Sequence, residues 1–284
     1  MPAPTGETTL RRYDRGSARR TGPIRPEVTM PVEAESTYHD LLHADDSRDP
    51  VAEALTVLRI IQARHPRAGS LIEVGCGAGE RLRALGQHIA LVEGVAVDDA
   101  TAVLARRSSP GTTIHQARLT GLDLGRRYDV VACLHDGLAE LPLVGYREVL
   151  RTLAGLLDTG GLLLLAPFWM PDVAIRRTAS DGLSRGDDGR TLVRVSRGAP
   201  RDGAHRVERH VLLAEGDGVR HAAEVRTLHA FGRREHLNAL AAAGCGADFL
   251  ATGLAGRPLL VGVRRPAGRP GTEPSPVPTF RPAR

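Results

Sequence analysis

The stretch "LIEVGCGAGE", residues 71–80, decides the fold of this chain. Four largely apolar residues lead into three glycines at alternate positions, Gly75, Gly77 and Gly79, and an amphipathic helical pattern, "GERLRALGQHIA", follows. An apolar run that ends in glycines and enters a helix is typical of a strand–loop–helix unit in an open parallel sheet. Because glycine has no Cβ, the backbone of such a loop can approach a ligand closely.

The rest of the chain repeats this alternation of strands and helices. The apolar runs "SLIEVG", "LVEGVAV", "TTIHQ", "YDVVACLH" and "LLLLAP" read as five strands, with "DDATAVLARR" and "GYREVLRTLAGLL" among the helices between them. Strands that are apolar enough to be covered on both faces, and that alternate with helices, favour a parallel sheet. The sequence therefore predicts an α/β fold with a doubly wound, Rossmann-like sheet.

The pattern changes after the fifth strand. Period-two stretches such as "TLVRVS", "HRVERHVLL" and "VRTLHAF" predict a small antiparallel β-sheet, inserted as a lid at about residues 172–231. The helix "RREHLNALAAAG" comes next, and "ADFLAT" and "PLLVGVRR" are expected to return to the main sheet as a sixth strand and an edge strand. We expect a domain at 37–264, between a flexible basic tail at 1–36 and a disordered Pro/Arg-rich tail at 265–284.

Composition limits the classes of partner. All 38 basic residues are arginines; the two ends carry a net positive charge, and the body between them is mildly acidic. This charge distribution is not typical of a nucleic-acid-binding protein. Three cysteines that are far apart indicate a reducing compartment, and no apolar run reaches membrane-spanning length. We expect a cytoplasmic protein that binds neither nucleic acid nor a membrane and has no metal site.

The glycine spacing distinguishes between two kinds of ligand. A dinucleotide fold needs G-x-G-x-x-G, but the position of its third glycine is Glu80 here, a carboxylate that would repel a pyrophosphate. S-adenosylmethionine (SAM) has no phosphate and carries a sulfonium and an ammonium group, which a carboxylate such as Glu73 suits. The loop therefore indicates SAM, although a turn that binds no ligand is also compatible with three glycines.

With these residues in view, the chain from about residue 38 to 264 resembles the class I SAM-dependent methyltransferases. Within them it is most similar to the N,N-dimethyltransferases that act on dTDP-linked amino sugars in macrolide biosynthesis. The resemblance is carried by the glycine loop and by "LLLLAPFWMPD", "DGRTLVRVSRGAPRDGAHRVERHVLLAEGDGVRH" and "GLAGRPLLVGV". It implies methylation of an amino group, or a hydroxyl, on a sugar nucleotide or related small molecule in secondary metabolism. The inserted sheet could also pair across a homodimer.

The resemblance assigns residues to three roles. In the substrate site, Arg257 corresponds to an arginine that contacts the phosphates, and Phe168 and Trp169 to an aromatic pair that forms pocket walls. Near the reacting nitrogen, Glu140 aligns with the family's histidine, and His135 is a second catalytic candidate. The cofactor residues are expected to be Glu73, Gly75, Cys76, Gly77, Gly79, Asp98, Asp99, Ala117, Arg118 and Leu134.

The chain departs from the family where the adenosine is held. The acid that accepts the ribose hydroxyls is replaced by Ala96, so Asp98 or Asp99 would have to take over that contact. Arg118 stands where an aspartate accepts the adenine amino group, and an arginine can only donate. Two functions follow: a working methyltransferase with an altered cofactor grip, or a methyltransferase-fold protein that has lost methyl transfer and serves as a binding, auxiliary or differently reactive biosynthetic protein.

Overall fold

The computed structural model describes residues 49–167, 179–187, 189–201, 204–216, 218–254 and 256–266. The helices are α1 (Pro50–Arg64), α2 (Glu80–Leu85), α3 (Asp99–Ser108), α4 (Leu143–Gly155) and α5 (Arg233–Ala242), with a 3₁₀ helix at Asp136–Glu140. The strands are β1 (Ser70–Val74), β2 (Leu91–Ala96), β3 (Thr113–Gln116), β4 (Tyr128–Cys133), β5 (Leu157–Leu165), β6 (Ala179–Asp187), β7 (Arg190–Arg201), β8 (Ala204–Glu215), β9 (Gly218–Leu228), β10 (Cys245–Leu254) and β11 (Arg257–Arg264).

Seven strands form the main sheet, in the order β10-β11-β5-β4-β1-β2-β3. Strands β1 to β5 pair in parallel, whereas β11 runs antiparallel to both β5 and β10. The carboxyl ends of β1 to β5 therefore lie along one edge, here called the carboxyl edge, and β11 begins at this edge. In open α/β sheets, ligands bind at this edge, where the strand order reverses.

Helices cover both faces of the sheet. Buried residues of α1, α2 and α3 pack on one face, and buried residues of α4 and α5 pack on the other. Along β5 the side chains alternate between the two cores: Leu162 and Leu164 join the first, whereas Leu163 and Leu165 join the second. A strand that is buried on both sides explains the continuous apolar run in the sequence. The predicted doubly wound fold is confirmed.

The order of the last two strands differs from the prediction. The sequence predicted the final strand at the edge of the sheet, but β10 is the edge strand and β11 lies between β10 and β5. The reason is burial: Leu259, Leu260 and Val261 of β11 have no exposed surface, whereas most of β10 is partly or fully exposed. The more apolar strand takes the interior position.

Helix α2 is shorter than its pattern suggested. The amphipathic pattern extended to residue 90, but the helix ends at Leu85 and Gly86 closes it with a bond from its N–H to the Leu82 carbonyl. Glycine is a poor helix former, and the turns that follow still bring Ile89 into the core. The predicted small sheet is present as four antiparallel strands in the order β6-β7-β8-β9.

Candidate functional site

The three glycines of the loop have different roles. Gly75, Gly77 and Gly79 all have positive φ, at 73°, 55° and 83°, a region that side chains with a Cβ enter only at a cost. A Cβ on Gly79 would lie 3.0 Å from the backbone of Ala105, so this glycine lets α2 pack against α3. A Cβ on Gly77 would meet no atom of the described residues within 4 Å. Gly77 therefore faces open space at the carboxyl edge, where a ligand would lie.

Glu73 lies at the end of β1 in a buried ion pair that the sequence did not reveal. Its Oε1 accepts a 2.8 Å hydrogen bond from Nε of Arg81, and its Oε2 is buried with no hydrogen-bond partner among the described residues. Burial raises the pKa of Glu73, and the Arg81 guanidinium acts against this rise. The carboxylate that was expected to face a cationic ligand is thus already shared with an arginine.

Arg81 extends this ion pair into a network. Its Nη1 donates to Oε2 of Glu53 at 2.8 Å, and the other oxygen of Glu53 accepts from Nη2 of Arg257. Burial by itself would lower the pKa of Arg81, but Glu73 and Glu53 outweigh it and hold that pKa above its usual range. The network connects β1, α1, α2 and the start of β11. It brings the predicted phosphate contact, Arg257, into direct connection with the glycine loop.

Asp98 and Asp99, the residues expected to hold the ribose, lie at the N-terminus of α3. Ala96 ends β2 and is buried, and Asp98 caps α3, accepting from the backbone N–H of Thr101 at 2.7 Å and from its hydroxyl at 2.8 Å. Asp99, the first residue of the helix, is exposed. Asp98 is therefore committed to the helix terminus, which a carboxylate stabilises. Its ribose contact, and that of Asp99, stay predictions.

The remaining cofactor candidates are brought to the same edge. Ala117 directly follows β3, and its N–H donates to the Ala96 carbonyl at 3.0 Å. Arg118 is exposed, whereas Leu134, just after β4, and Cys76 in the loop are buried. Burial raises the pKa of Cys76 to about 12, with a further contribution from Glu73, so its thiol stays protonated. Their contacts with the cofactor stay predictions.

A pocket opens at the carboxyl ends of β4 and β5, with about 350 Å³ of empty space that includes the solvent at its open side. Its polar lining consists of three histidines and a tyrosine, and the rest is apolar: His135, His229, His236, Tyr146, Phe231, Leu138, Ala139, Leu165, Ala166 and Pro167. The pocket adjoins the glycine loop, because a Cβ on Gly75 would lie 3.6 Å from the His135 Cβ. It is where an acceptor would lie beside a molecule held by the loop.

The two catalytic candidates differ in their surroundings. Nδ1 of His135 accepts a 3.0 Å hydrogen bond from the N–H of Gly137, so the neutral ring carries its proton on Nε2. Glu140 is 46% exposed and does not line the pocket; Nε of Arg226, on β9, donates to its Oε1 at 2.6 Å. The ion pair joins the small antiparallel sheet to the 3₁₀ helix. The catalytic roles of both residues stay predictions.

On the pocket floor, His236 and Tyr146 form a buried pair. Nδ1 of His236 lies 2.7 Å from the Tyr146 hydroxyl, and both side chains are almost fully buried. Burial lowers the pKa of His236 to about 4, although Glu235 and the Phe231 backbone act in the opposite direction. The floor of the pocket is therefore uncharged at neutral pH.

Sequence patterns missed Arg81, Glu53, His229 and His236. The buried acid in α1 is the one signal that could have found the network, because Glu53 interrupts an apolar helix face and an acid there needs a buried cation. The histidines carry no such signal, since they come from a strand end and a helix far along the chain. Phe168 and Trp169 lie outside the described residues.

Known proteins similar to this chain act on dTDP-linked amino sugars. The chain is 31% identical over 231 residues to the dTDP-3-amino-3,4,6-trideoxy-α-D-glucopyranose N,N-dimethyltransferase of Streptomyces venezuelae, covering 79% of this chain and 95% of that one. It is 32% identical over 227 residues to the dTDP-4-amino-2,3,4,6-tetradeoxy-D-glucose N,N-dimethyltransferase of Saccharopolyspora spinosa, covering 80% and 91%. This chain belongs to the SAM-dependent sugar N-methyltransferases. No protein-family model matches the chain.

Solved structures agree with this membership. A sugar N-methyltransferase from a Streptoalloteichus species is 35% identical and superposes with a TM-score of 0.74, covering 90% of this chain and all of that one. A SAM-bound amino pentose methyltransferase from Micromonospora echinaspora is 32% identical, with a TM-score of 0.71, covering 80% and 96%. The protein is a SAM-dependent methyltransferase, as the sequence predicted, and nothing favours the alternative of a fold that has lost methyl transfer.

The site of this sugar N-methyltransferase fits SAM. Gly77 leaves space on the ligand side of the loop, and Oε2 of Glu73 is a buried acceptor without a partner among the described residues. A cationic amino acid moiety supplies the donor that such an oxygen needs.

Among the described residues, no helix is long and apolar enough to cross a membrane.

The different roles of the glycines give a first prediction. Gly77→Ala places a methyl group on the ligand side, so SAM affinity should fall, while the left-handed φ costs about 1–2 kcal/mol of folding free energy. Gly79→Ala carries the same φ cost and also meets Ala105, adding about 1–3 kcal/mol. Calorimetric titration with SAM and urea unfolding measure the two effects. A greater loss of stability in Gly77→Ala than in Gly79→Ala contradicts these roles.

The buried network gives a second prediction. Arg81→Leu leaves two buried carboxylates without their shared partner and should cost about 3–5 kcal/mol of unfolding free energy at neutral pH. Because burial raises the pKa of Glu73, the folded protein takes up that proton more readily than the unfolded chain, so the deficit should shrink as the pH falls. Urea unfolding at several pH values measures this. Arg83→Ala, which alters an exposed arginine of the same helix, is the control and should change stability little.

Proposed function

We propose that this protein transfers the SAM methyl group to the amino group of a dTDP-linked amino sugar, and that it does so twice. The observation that carries the proposal is the meeting of three features at the carboxyl edge: the glycine loop, the histidine-lined pocket and Arg257. They correspond to the three parts of the reaction, namely the methyl donor, the amine and the phosphates. The two similar dimethyltransferases described above are named for substrates of this class.

Arg257 supports the phosphate part of the proposal. It starts β11 at the carboxyl edge, directly after Gly256, and is 29% exposed. One of its N–H groups bonds to Glu53, and the others have no partner among the described residues. A guanidinium that is anchored on one side and open on the other is suited to two oxygens of a phosphate. The anchor also holds it in position before the substrate arrives.

The pocket supports the amine part. Bound SAM supplies a methyl group made electrophilic by the positive sulfur. The task of the protein is then to hold a neutral amine close to that methyl group and in line with it, because positioning supplies much of the acceleration. The pocket is mostly apolar and its floor is uncharged, so it favours the neutral amine over the ammonium. Glu140 and Arg226 close the lid side of the site.

Mass spectrometry of the purified protein with SAM tests the proposal. The probes are the two sugar nucleotides for which the similar dimethyltransferases are named, and dTDP-glucose, which has no amine, is the control. At least one amino sugar should gain one and then two methyl groups, and dTDP-glucose none. If SAM binds but no amino sugar is methylated, the proposed substrate class is wrong.

Cytoplasmic location, a homodimer and the domain boundaries stay predictions from the sequence.

Arg257→Ala tests the phosphate contact. Loss of a charge-assisted contact worth about 1.5–3 kcal/mol should raise the KM for the sugar nucleotide roughly 10- to 100-fold and leave SAM affinity unchanged. Arg265→Ala, in which an exposed arginine just beyond β11 is removed, is the matched control and should change neither. An equal loss of affinity for both ligands would mean that Arg257 supports the loop through Glu53 rather than the acceptor.

A further inference from the structure

His229 is a pocket residue that neither the sequence pattern nor the resemblance marks. It follows β9, and its backbone N–H donates to the carbonyl of Ala139 at 2.6 Å, which fixes the chain against the 3₁₀ helix. The imidazole lies nearly parallel to the ring of Phe231, with 9° between the planes and 6.4 Å between the centroids. It is partly exposed, and within the described part of the chain neither of its ring nitrogens makes a hydrogen bond.

The other basic groups near the pocket are already engaged. Nδ1 of His135 accepts from the Gly137 backbone, and the carboxylate of Glu140 is paired with Arg226. His236 is buried against Tyr146. Of the histidines that line the pocket, His229 is the one whose ring lies in the pocket without a hydrogen bond to the described residues.

We propose that His229 accepts the proton that the sugar amine must lose for methyl transfer. The inference rests on the proposed function, because it needs an amine as acceptor. Imidazole is the side chain that exchanges a proton near neutral pH, and partial exposure lets His229 pass the proton on to water. Double methylation needs this step twice, since the monomethylated amine must be neutral again before it can react.

The step balances as follows. A substrate that enters as the ammonium gives one proton to the neutral imidazole of His229 and becomes the free amine. The amine lone pair then forms the C–N bond as the C–S bond breaks, and the electron pair of that bond stays on sulfur. The methylated nitrogen is left with a positive charge and has to lose a second proton before it can react again. His229, having released its first proton to solvent, accepts this second one.

Several charged or titratable groups surround His229. The Glu140–Arg226 ion pair lies on the lid side, and His135, Tyr146 and His236 line the pocket. The Tyr146 hydroxyl is kept neutral by burial, which raises its pKa, and His236 is neutral for the same physical reason. The charged pair carries no net charge. The expected effect of removing the His229 ring is therefore the loss of one proton acceptor.

The test is the pH dependence of kcat/KM for His229→Gln with a dTDP-amino sugar that the wild type methylates. The glutamine keeps the polar character and approximate size of the side chain but cannot take up a proton. We expect the rate at neutral pH to fall roughly 10²-fold, and the ascending limb to move to higher pH, towards the pKa of the sugar amine itself. The monomethylated product should accumulate.

Two comparisons keep this test specific. His88 lies in an exposed turn and does not line the pocket. His88→Gln should therefore leave the rate and the pH profile unchanged. His229→Ala should regain activity when free imidazole is added, which a merely structural role would not allow. A readout without turnover is the ring proton resonance of His229, which should shift when the sugar nucleotide is added without SAM.

The outcomes separate the two proposals. If the wild type methylates neither of the two amino sugar nucleotides, the proposed function fails, and the role of His229 fails with it. If the wild type is active but His229→Gln keeps the wild-type rate and pH profile, only the role of His229 is overturned. A shift of the profile in His135→Gln instead would assign the proton to His135.

Discussion

The site depends on one buried network of charges. Glu73 lies near the end of β1, Arg81 in the first turn of α2, Glu53 in α1 and Arg257 at the start of β11. Four separate elements are therefore held together by two acids that alternate with two arginines. Removing Arg81 would leave Glu73 buried without a partner, which is far more costly than never burying the pair. The glycine loop and the start of β11 are therefore fixed relative to each other, as a reaction between two bound molecules requires.

This network limits which side chains are left to contact a cofactor. Glu73 shares its charge with Arg81, and Asp98 is used by the N-terminus of α3, so two carboxylates expected at the cofactor already have protein partners. What the edge still offers is the backbone around Gly77, where space is open, and the second oxygen of Glu73. A cofactor grip that depends on backbone and shape tolerates the replacement of a ribose-binding acid by Ala96 better than one that depends on side-chain charges.

Sequence reasoning predicted the parts that depend on local patterns. The strand–loop–helix unit at residues 71–80, the parallel sheet and the inserted antiparallel strands follow from periodicity, and all are present. The order of β10 and β11 was wrong, because it depends on which strand is more deeply buried, not on which comes last. Arg81 looked like one more solvent-facing arginine on an amphipathic helix. Its partner Glu53 is 28 residues away in the sequence, and a local pattern does not reveal a contact between residues that far apart. His229 and His236 meet His135 only through the fold.

The same physics accounts for the acceptor pocket. His236 is almost fully buried, and this burial lowers its pKa to about 4, because a buried position disfavours positive charge. An ammonium entering the pocket meets the same penalty, and the positive sulfur of the methyl donor adds to it. The neutral amine, which is the form that can attack, is thus the form that the pocket retains. A pocket that drives a proton off its substrate must give that proton a route out, and a partly exposed imidazole at the rim provides one without placing a fixed charge beside the reacting nitrogen.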